Sequence, residues 1–139
     1  MLRCSSPYRR PRALIVEDEV LIALGLEAEL QDLGFDVCLA GNARQAIAMA
    51  TKEQPDIAVM DIYLNGTRDG IETARVLREL CGVRVVFVTA YAHEEGLTER
   101  IQQQVPNAPV LTKPLFGKQL ADAIAEVRSG PTNSCGVAA

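Results

Sequence analysis

Five short apolar runs, each bounded by charged or turn-forming residues, alternate along the chain with longer stretches in which apolar residues return every three or four positions. The short runs are strands and the longer stretches amphipathic helices. The clearest run is Ile57-Ala58-Val59-Met60, between Asp56 and Asp61. It is too short for a helix core and apolar throughout, as expected of a strand buried on both faces in a parallel sheet. Ala13 to Val16 is an earlier run of the same kind, and Phe35 to Ala40, Val83 to Val88 and Val110 to Thr112 supply three more.

Between them, Ile22, Leu26, Leu30 and Leu33 form the stripe of a first helix that stops at Gly34. Asn42 and Gln45 have the spacing of an N-cap and its capping-box partner, ahead of Ala43, Ala46, Ile47 and Ala50. Ile71, Ala74 and Leu77 begin a third helix, which ends at Cys81-Gly82. The segment from Ala92 to Val105 is the weakest helix, with a thin stripe at Leu97, Ile101 and Val105 and Gly96 inside it. Phe116, Leu120, Ile124 and Val127 give the face of the last. Strict alternation of five strands and five helices predicts an α/β fold of three layers, a flavodoxin-like (βα)5 unit with a five-stranded parallel sheet. The order 2-1-3-4-5 sets the first and third strands side by side at a topological switch point, where such sheets bind ligands.

Composition adds exclusions. At 139 residues the chain has one domain, expected over residues 12–128, with a flexible basic tail at 1–11 and a disordered tail at 129–139. Arg3, Arg9, Arg10 and Arg12 lack the charge density of a nucleic-acid arm, and the net charge of −4 argues against direct nucleic-acid binding. No apolar run is long enough to span a bilayer, and no membrane partner is expected. Cys4, Cys38, Cys81 and Cys135 are scattered, so the chain is read as cytoplasmic and reducing, with Cys38 and Cys81 packing as small hydrophobes. His93 lies in a polar segment, where a solvated histidine is expected.

The chemistry lies at the strand exits. They carry Glu17 and Asp18 from the first strand, Asp61 from the third, Thr89 from the fourth and Lys113 from the fifth. One such carboxylate would be an ordinary turn residue, but this fold converges all five on one crevice. Carboxylates so close repel one another unless a cation intervenes, and a hard divalent ion such as Mg²⁺ takes one or two carboxylates while leaving positions for phosphoryl oxygens. Lys113 and the Thr89 hydroxyl can meet the remaining phosphoryl oxygens, and Asp61 can serve as a nucleophile through an aspartyl phosphate. The parts amount to phosphoryl transfer by positioning and charge neutralisation.

With these residues in view, the chain resembles the receiver domain of a bacterial two-component response regulator, of the chemotaxis-regulator kind. The match runs from Arg12 to about Val127 and includes Glu17-Asp18, Asp61, Asp69-Gly70, Thr89-Ala90 and Lys113-Pro114. The resemblance implies that Asp61 accepts a phosphoryl group from the phosphohistidine of a sensor histidine kinase or histidine phosphotransfer protein. It implies Mg²⁺ as cofactor, held by Asp18 and Asp61, by Glu17 through water and by the backbone carbonyl of Tyr63. It further implies contacts from Thr89 and Lys113 to the product, and a cis Lys113-Pro114 bond.

Two departures matter. The loop from Asp61 to Gly70 is one residue longer than the usual pattern, with Leu64-Asn65-Gly66 in place of Met-Pro-Gly. Val110 stands where many receivers carry a switching aromatic, which leaves Tyr91, beside Ala90, as the nearest substitute. Tyr63 and Tyr91 flank the acceptor and are expected to restrict the attacking water.

About a dozen small and polar residues follow the last helix, so a stand-alone receiver is expected, acting on a downstream effector protein through its fourth helix, fifth strand and fifth helix. A domain cut from a hybrid kinase or longer regulator is a variant of that reading. Homodimerisation through the same elements is open, since their exposed residues do not decide it. An aspartate-nucleophile phosphatase would instead place a second carboxylate two residues after Asp61, where this chain has Tyr63. A flavodoxin-like cofactor binder would need a phosphate-cradling loop where Glu17 and Asp18 stand.

Overall fold

A computed structural model describes residues 10–65 and 69–129. Its elements run β1 (Arg12–Val16), α1 (Val20–Asp32), β2 (Asp36–Ala40), α2 (Ala43–Glu53), β3 (Ile57–Met60), α3 (Asp69–Cys81), β4 (Arg84–Thr89), α4 (Leu97–Gln104), β5 (Val110–Thr112) and α5 (Gln119–Ser129). The five strands form one parallel sheet in the order β2-β1-β3-β4-β5, as the alternation predicts.

The strand period of two explains the three layers. Leu14, Val16, Ala58, Met60, Val85 and Phe87 face one side, where Ala46 and Ala50 of α2, Ala74 and Leu77 of α3 and Leu97 and Ile101 of α4 cover them. Ala13, Ile15, Ile57, Val59, Val86 and Val88 face the other, under Leu26 and Leu30 of α1 and Leu120, Ala123 and Ile124 of α5. Every strand residue of β3 is buried, which is why that strand reads as an unbroken apolar run. Cys38 and Cys81 are half-buried against the first of these clusters.

The ends of the elements follow local chemistry. After α1, Gly34 takes φ 95° and Phe35 N–H donates to the Leu30 carbonyl, closing the helix in a left-handed turn. The Asn42 side chain accepts from Gln45 N–H at 2.9 Å, while the Gln45 side chain accepts from Gly41 N–H at 2.8 Å. Asn42→Ala is expected to cost about 1 kcal/mol of stability in urea denaturation, since it orphans an N–H in the first turn of α2.

Three readings of the helices are corrected. α4 begins at Leu97 rather than Ala92, because Gly96 holds φ 78° and the residues before it form turns. Phe116 does not belong to the last helix; it is 71% exposed, and its N–H donates to the Gln119 side chain just ahead of α5. Leu33 caps α1 and is largely exposed, so the buried stripe of that helix ends at Leu30.

Arg10 and Arg12 are engaged at the base of the sheet. Arg10 donates to the Gly34 carbonyl, and Arg12 donates to the Glu53 carbonyl and pairs with its carboxylate at 3.3 Å. Residues 1–9 and 130–139, most of the tails expected at 1–11 and 129–139, and residues 66–68 of the loop after β3, lie outside the described residues. Among the described residues, no helix is long and apolar enough to cross a membrane.

Candidate phosphoacceptor site

The hydrogen-bonded ladder of the sheet continues one step past the strands and places the chemistry. Glu17 N–H donates to the Ala40 carbonyl, Asp61 N–H to Val16 and Lys113 N–H to Thr89, each within 3.0 Å. Neighbouring strand exits therefore stand side by side, and their side chains meet.

Lys113 is the hub. Its ammonium lies 2.6 Å from Glu17 Oε2 and 2.8 Å from Asp61 Oδ2, with all three side chains largely buried. Burial works against the charge on Lys113, but its hydrogen bonds to Asp61 and Glu17, and their charges, outweigh that and raise its pKa. Burial pushes the Glu17 carboxyl up, against the downward pull of Lys113 and of the Glu19 N–H. The other oxygen of Asp61 accepts from Tyr63 N–H at 3.2 Å, and Asp18 Oδ2 accepts from Asn65 N–H at 2.9 Å. The first residues of the loop after β3 are thus tied to both acidic strand exits.

Glu17, Asp18 and Glu19 each bring a carboxylate oxygen to within 4.8 Å of the others. These are hard oxygen donors beside a buried carboxylate, the set that suits a small divalent cation such as Mg²⁺. Glu19, at the N-cap of α1, is the member that sequence reasoning passed over. It is exposed, as most carboxylates in that position are, and only its proximity to Glu17 and Asp18 sets it apart.

Thr89 is fully buried, and its hydroxyl accepts from Tyr91 N–H at 3.1 Å. Ala90 is exposed. Val110 pairs with Phe87 in the sheet and is half-buried against the core. The Lys113-Pro114 peptide bond is cis. Tyr63 and Tyr91 meet edge to face with ring centroids 4.8 Å apart, and the Tyr63 hydroxyl donates to Glu94 at 2.5 Å. A cleft of about 1060 Å³ opens here, lined by Asp61, Lys113, the two tyrosines, Glu94 and residues of α1. His93 is exposed.

Gly70 fixes how closely the next helix approaches. Its N–H donates to the Ile62 carbonyl at 2.9 Å, and a Cβ there would lie 2.1 Å from the Asp61 carbonyl oxygen and 2.6 Å from Ile62 Cα. Only a glycine lets the start of α3 rest on the exit of β3.

Acids, a buried threonine and a lysine are thus gathered at the carboxyl edge of one parallel sheet. The chain belongs to the response regulator receiver domain family, whose model matches residues 13–125, and members of that family act as phosphoacceptors in two-component systems. Among solved structures, the signal receiver domain of a modulated diguanylate cyclase from Desulfovibrio desulfuricans G20 is 34% identical with a TM-score of 0.75, covering 86% of this chain and 94% of that one. The receiver domain of the sensor histidine kinase PA1611 from Pseudomonas aeruginosa PAO1, solved with a magnesium ion coordinated in its active site cleft, is 27% identical with a TM-score of 0.72, over 87% of this chain and 100% of that one. The DNA-binding response regulator MtrA of Mycobacterium tuberculosis is 37% identical over 81 residues, 58% of this chain and 35% of that protein. The chain thus spans about a third of the length of the curated relatives it matches.

Proposed function

We propose that this protein is a cytoplasmic phosphoacceptor that takes a phosphoryl group onto Asp61 from the phosphohistidine of a sensor histidine kinase or histidine phosphotransfer protein. The observation that carries the reading is the Lys113 ammonium held between Asp61 and Glu17, beside the buried Thr89. A carboxylate oxygen of Asp61 forms the bond to phosphorus as the phosphorus–nitrogen bond of the donor breaks, and the imidazole leaves with the electron pair. Lys113 moves with the incoming phosphoryl oxygens as a point charge, and the Thr89 hydroxyl donates to one of them. Asp18, Asp61, the Tyr63 carbonyl and, through water, Glu17 are the groups that would hold Mg²⁺, with Glu19 adding to the negative field. When bound, that ion neutralises the charge of the phosphoryl oxygens.

The new dianion changes what the Thr89 hydroxyl and Lys113 contact, and both are joined directly to the chain around α4, β5 and α5. That face is where an effector protein would read the phosphorylated state by population shift. With Val110 in the sheet in place of an aromatic, Tyr91 and Tyr63 take the tuning role, their rings limiting the approach of water to the acyl phosphate. The net charge of −4 gives the domain itself little attraction for nucleic acid.

The test is intact mass after incubation with Mg²⁺ and a small acyl phosphate or phosphoramidate. One added phosphoryl group is expected with Mg²⁺ and none after chelation of the metal. A folded protein that gains nothing under either condition would overturn the reading and leave a receiver fold that works as a docking module.

A further inference from the structure

The hydrogen bonds at the mouth of the cleft form a circuit between the two ends of the chemistry. Asp61 accepts from Tyr63 N–H; the Tyr63 hydroxyl donates to Glu94; Glu94 N–H donates to the Tyr91 carbonyl at 3.0 Å; and Tyr91 N–H donates to the Thr89 hydroxyl. The nucleophile and the buried threonine are therefore joined by a second route, apart from the one through Lys113. Glu94 supplies its polar link between the loop after β3 and the loop after β4, and the Tyr63–Tyr91 ring contact supplies the apolar one.

A tyrosine ring has few torsions, so one strong contact at its far end settles where it stands. The Tyr63 backbone is tied to Asp61, its ring leans on Tyr91, and its hydroxyl ends on a carboxylate, the stronger kind of acceptor. That last bond adds a restraint on the swing of the ring about its first torsion, toward or away from Asp61. The turn that carries Glu94 is itself stopped by Gly96, so the carboxylate is presented from a short loop rather than from α4.

We infer that Glu94 is a positioning residue for the phosphoacceptor site: by fixing the Tyr63 ring at the cleft mouth beside Asp61, it slows hydrolysis of the phosphorylated aspartate. This rests on the phosphoacceptor reading above. In that hydrolysis a water oxygen forms a bond to phosphorus as the bond from phosphorus to the Asp61 oxygen breaks. The carboxylate leaves with the electron pair, inorganic phosphate is released, and the water's proton passes to solvent. The water must arrive in line with the breaking bond, through the cleft that Tyr63 lines. A rule for a group held by its neighbours applies: placement is only as good as the residue that locks it.

The experiment loads the protein with a phosphoryl group from a small donor in Mg²⁺, removes the donor and follows the decay by intact mass. Glu94→Ala is expected to lose phosphate roughly threefold to tenfold faster than the parent, the rate equivalent of one ordinary hydrogen bond. Glu94→Gln keeps an acceptor for the tyrosine hydroxyl and is expected to restore a decay close to the parent's. Tyr63→Phe should match Glu94→Ala, and the double variant should decay no faster than either, because both remove the same bond. A parent that takes up no phosphate overturns the phosphoacceptor reading and this inference with it. A phosphorylated parent whose decay matches that of Glu94→Ala overturns the role of Glu94 alone. So does a Glu94→Gln protein as fast as Glu94→Ala, or a double variant in which the two effects multiply.

Discussion

Replacing Asp61 with asparagine is expected to abolish uptake of a phosphoryl group while leaving the fold in place. The amide is neutral and a poor nucleophile, and it cannot form an acyl phosphate. Its oxygen can still accept a hydrogen bond from Lys113 or from Tyr63 N–H, as the carboxylate does. Removing one partner of a buried ion pair is ordinarily severe, because the other charge is left alone in a poor solvent. Here it is not left alone, since Lys113 keeps Glu17 at 2.6 Å. The stability of Asp61→Asn in urea is therefore expected to lie within about 1 kcal/mol of the parent. Intact mass after treatment with a small phosphoryl donor and Mg²⁺ reads the chemical loss directly. A variant that still gains a phosphoryl group would move the acceptor to another side chain, with Asp18 and Glu17 the next to examine.

The second large effect belongs to a residue with no functional group. Gly70→Ala places a methyl group 2.1 Å from the Asp61 carbonyl oxygen and 2.6 to 2.7 Å from the Ile62 backbone. Flexible side chains can give way to an intruding atom, but all three of these neighbours are backbone, held at the buried exit of β3. Either α3 lifts from the exit of β3 or the exit itself is displaced. A cost of about 3 kcal/mol is expected in urea denaturation, at the upper end for an overpacked interior. The same displacement moves Asp61 relative to Lys113, so phosphoryl uptake should fall in whatever fraction remains folded. A Gly70→Ala protein as stable as its parent would mean that the start of α3 adapts freely.

The parts of the molecule that were legible in the sequence share a physical cause. β1, β3 and β4 are buried on both faces, so their residues have no choice but to be apolar, and the polar residue that ends each run marks a strand exit. Because the fold brings all exits to one edge, Glu17, Asp61, Thr89 and Lys113 could be gathered from one dimension. The misread elements lie where burial is thin. α4 buries Leu97 and Ile101 alone within its span, so a periodic pattern could not tell its true start from the turns before it. Phe116 has the spacing of a buried position, yet a phenylalanine on an exposed turn has the same spacing. Glu94 carried no signal at all: its partner is 31 residues away, and a glutamate in a polar stretch looks like a solvated one. The polar link between two loops belongs to the assembled cleft and has no trace in local periodicity.

The lysine between Asp61 and Glu17 makes the site its own competitor. A positive charge tethered by the backbone cannot diffuse away, so it is present beside the acids at a high effective concentration whatever the salt outside. A cation held at Asp61 would share that carboxylate with the ammonium, and a phosphoryl group arriving there would draw the ammonium from the acids toward itself. Such an arrangement disfavours permanent occupancy. It suits a part that has to be filled, read and emptied many times, with the charge handed from one partner to the next.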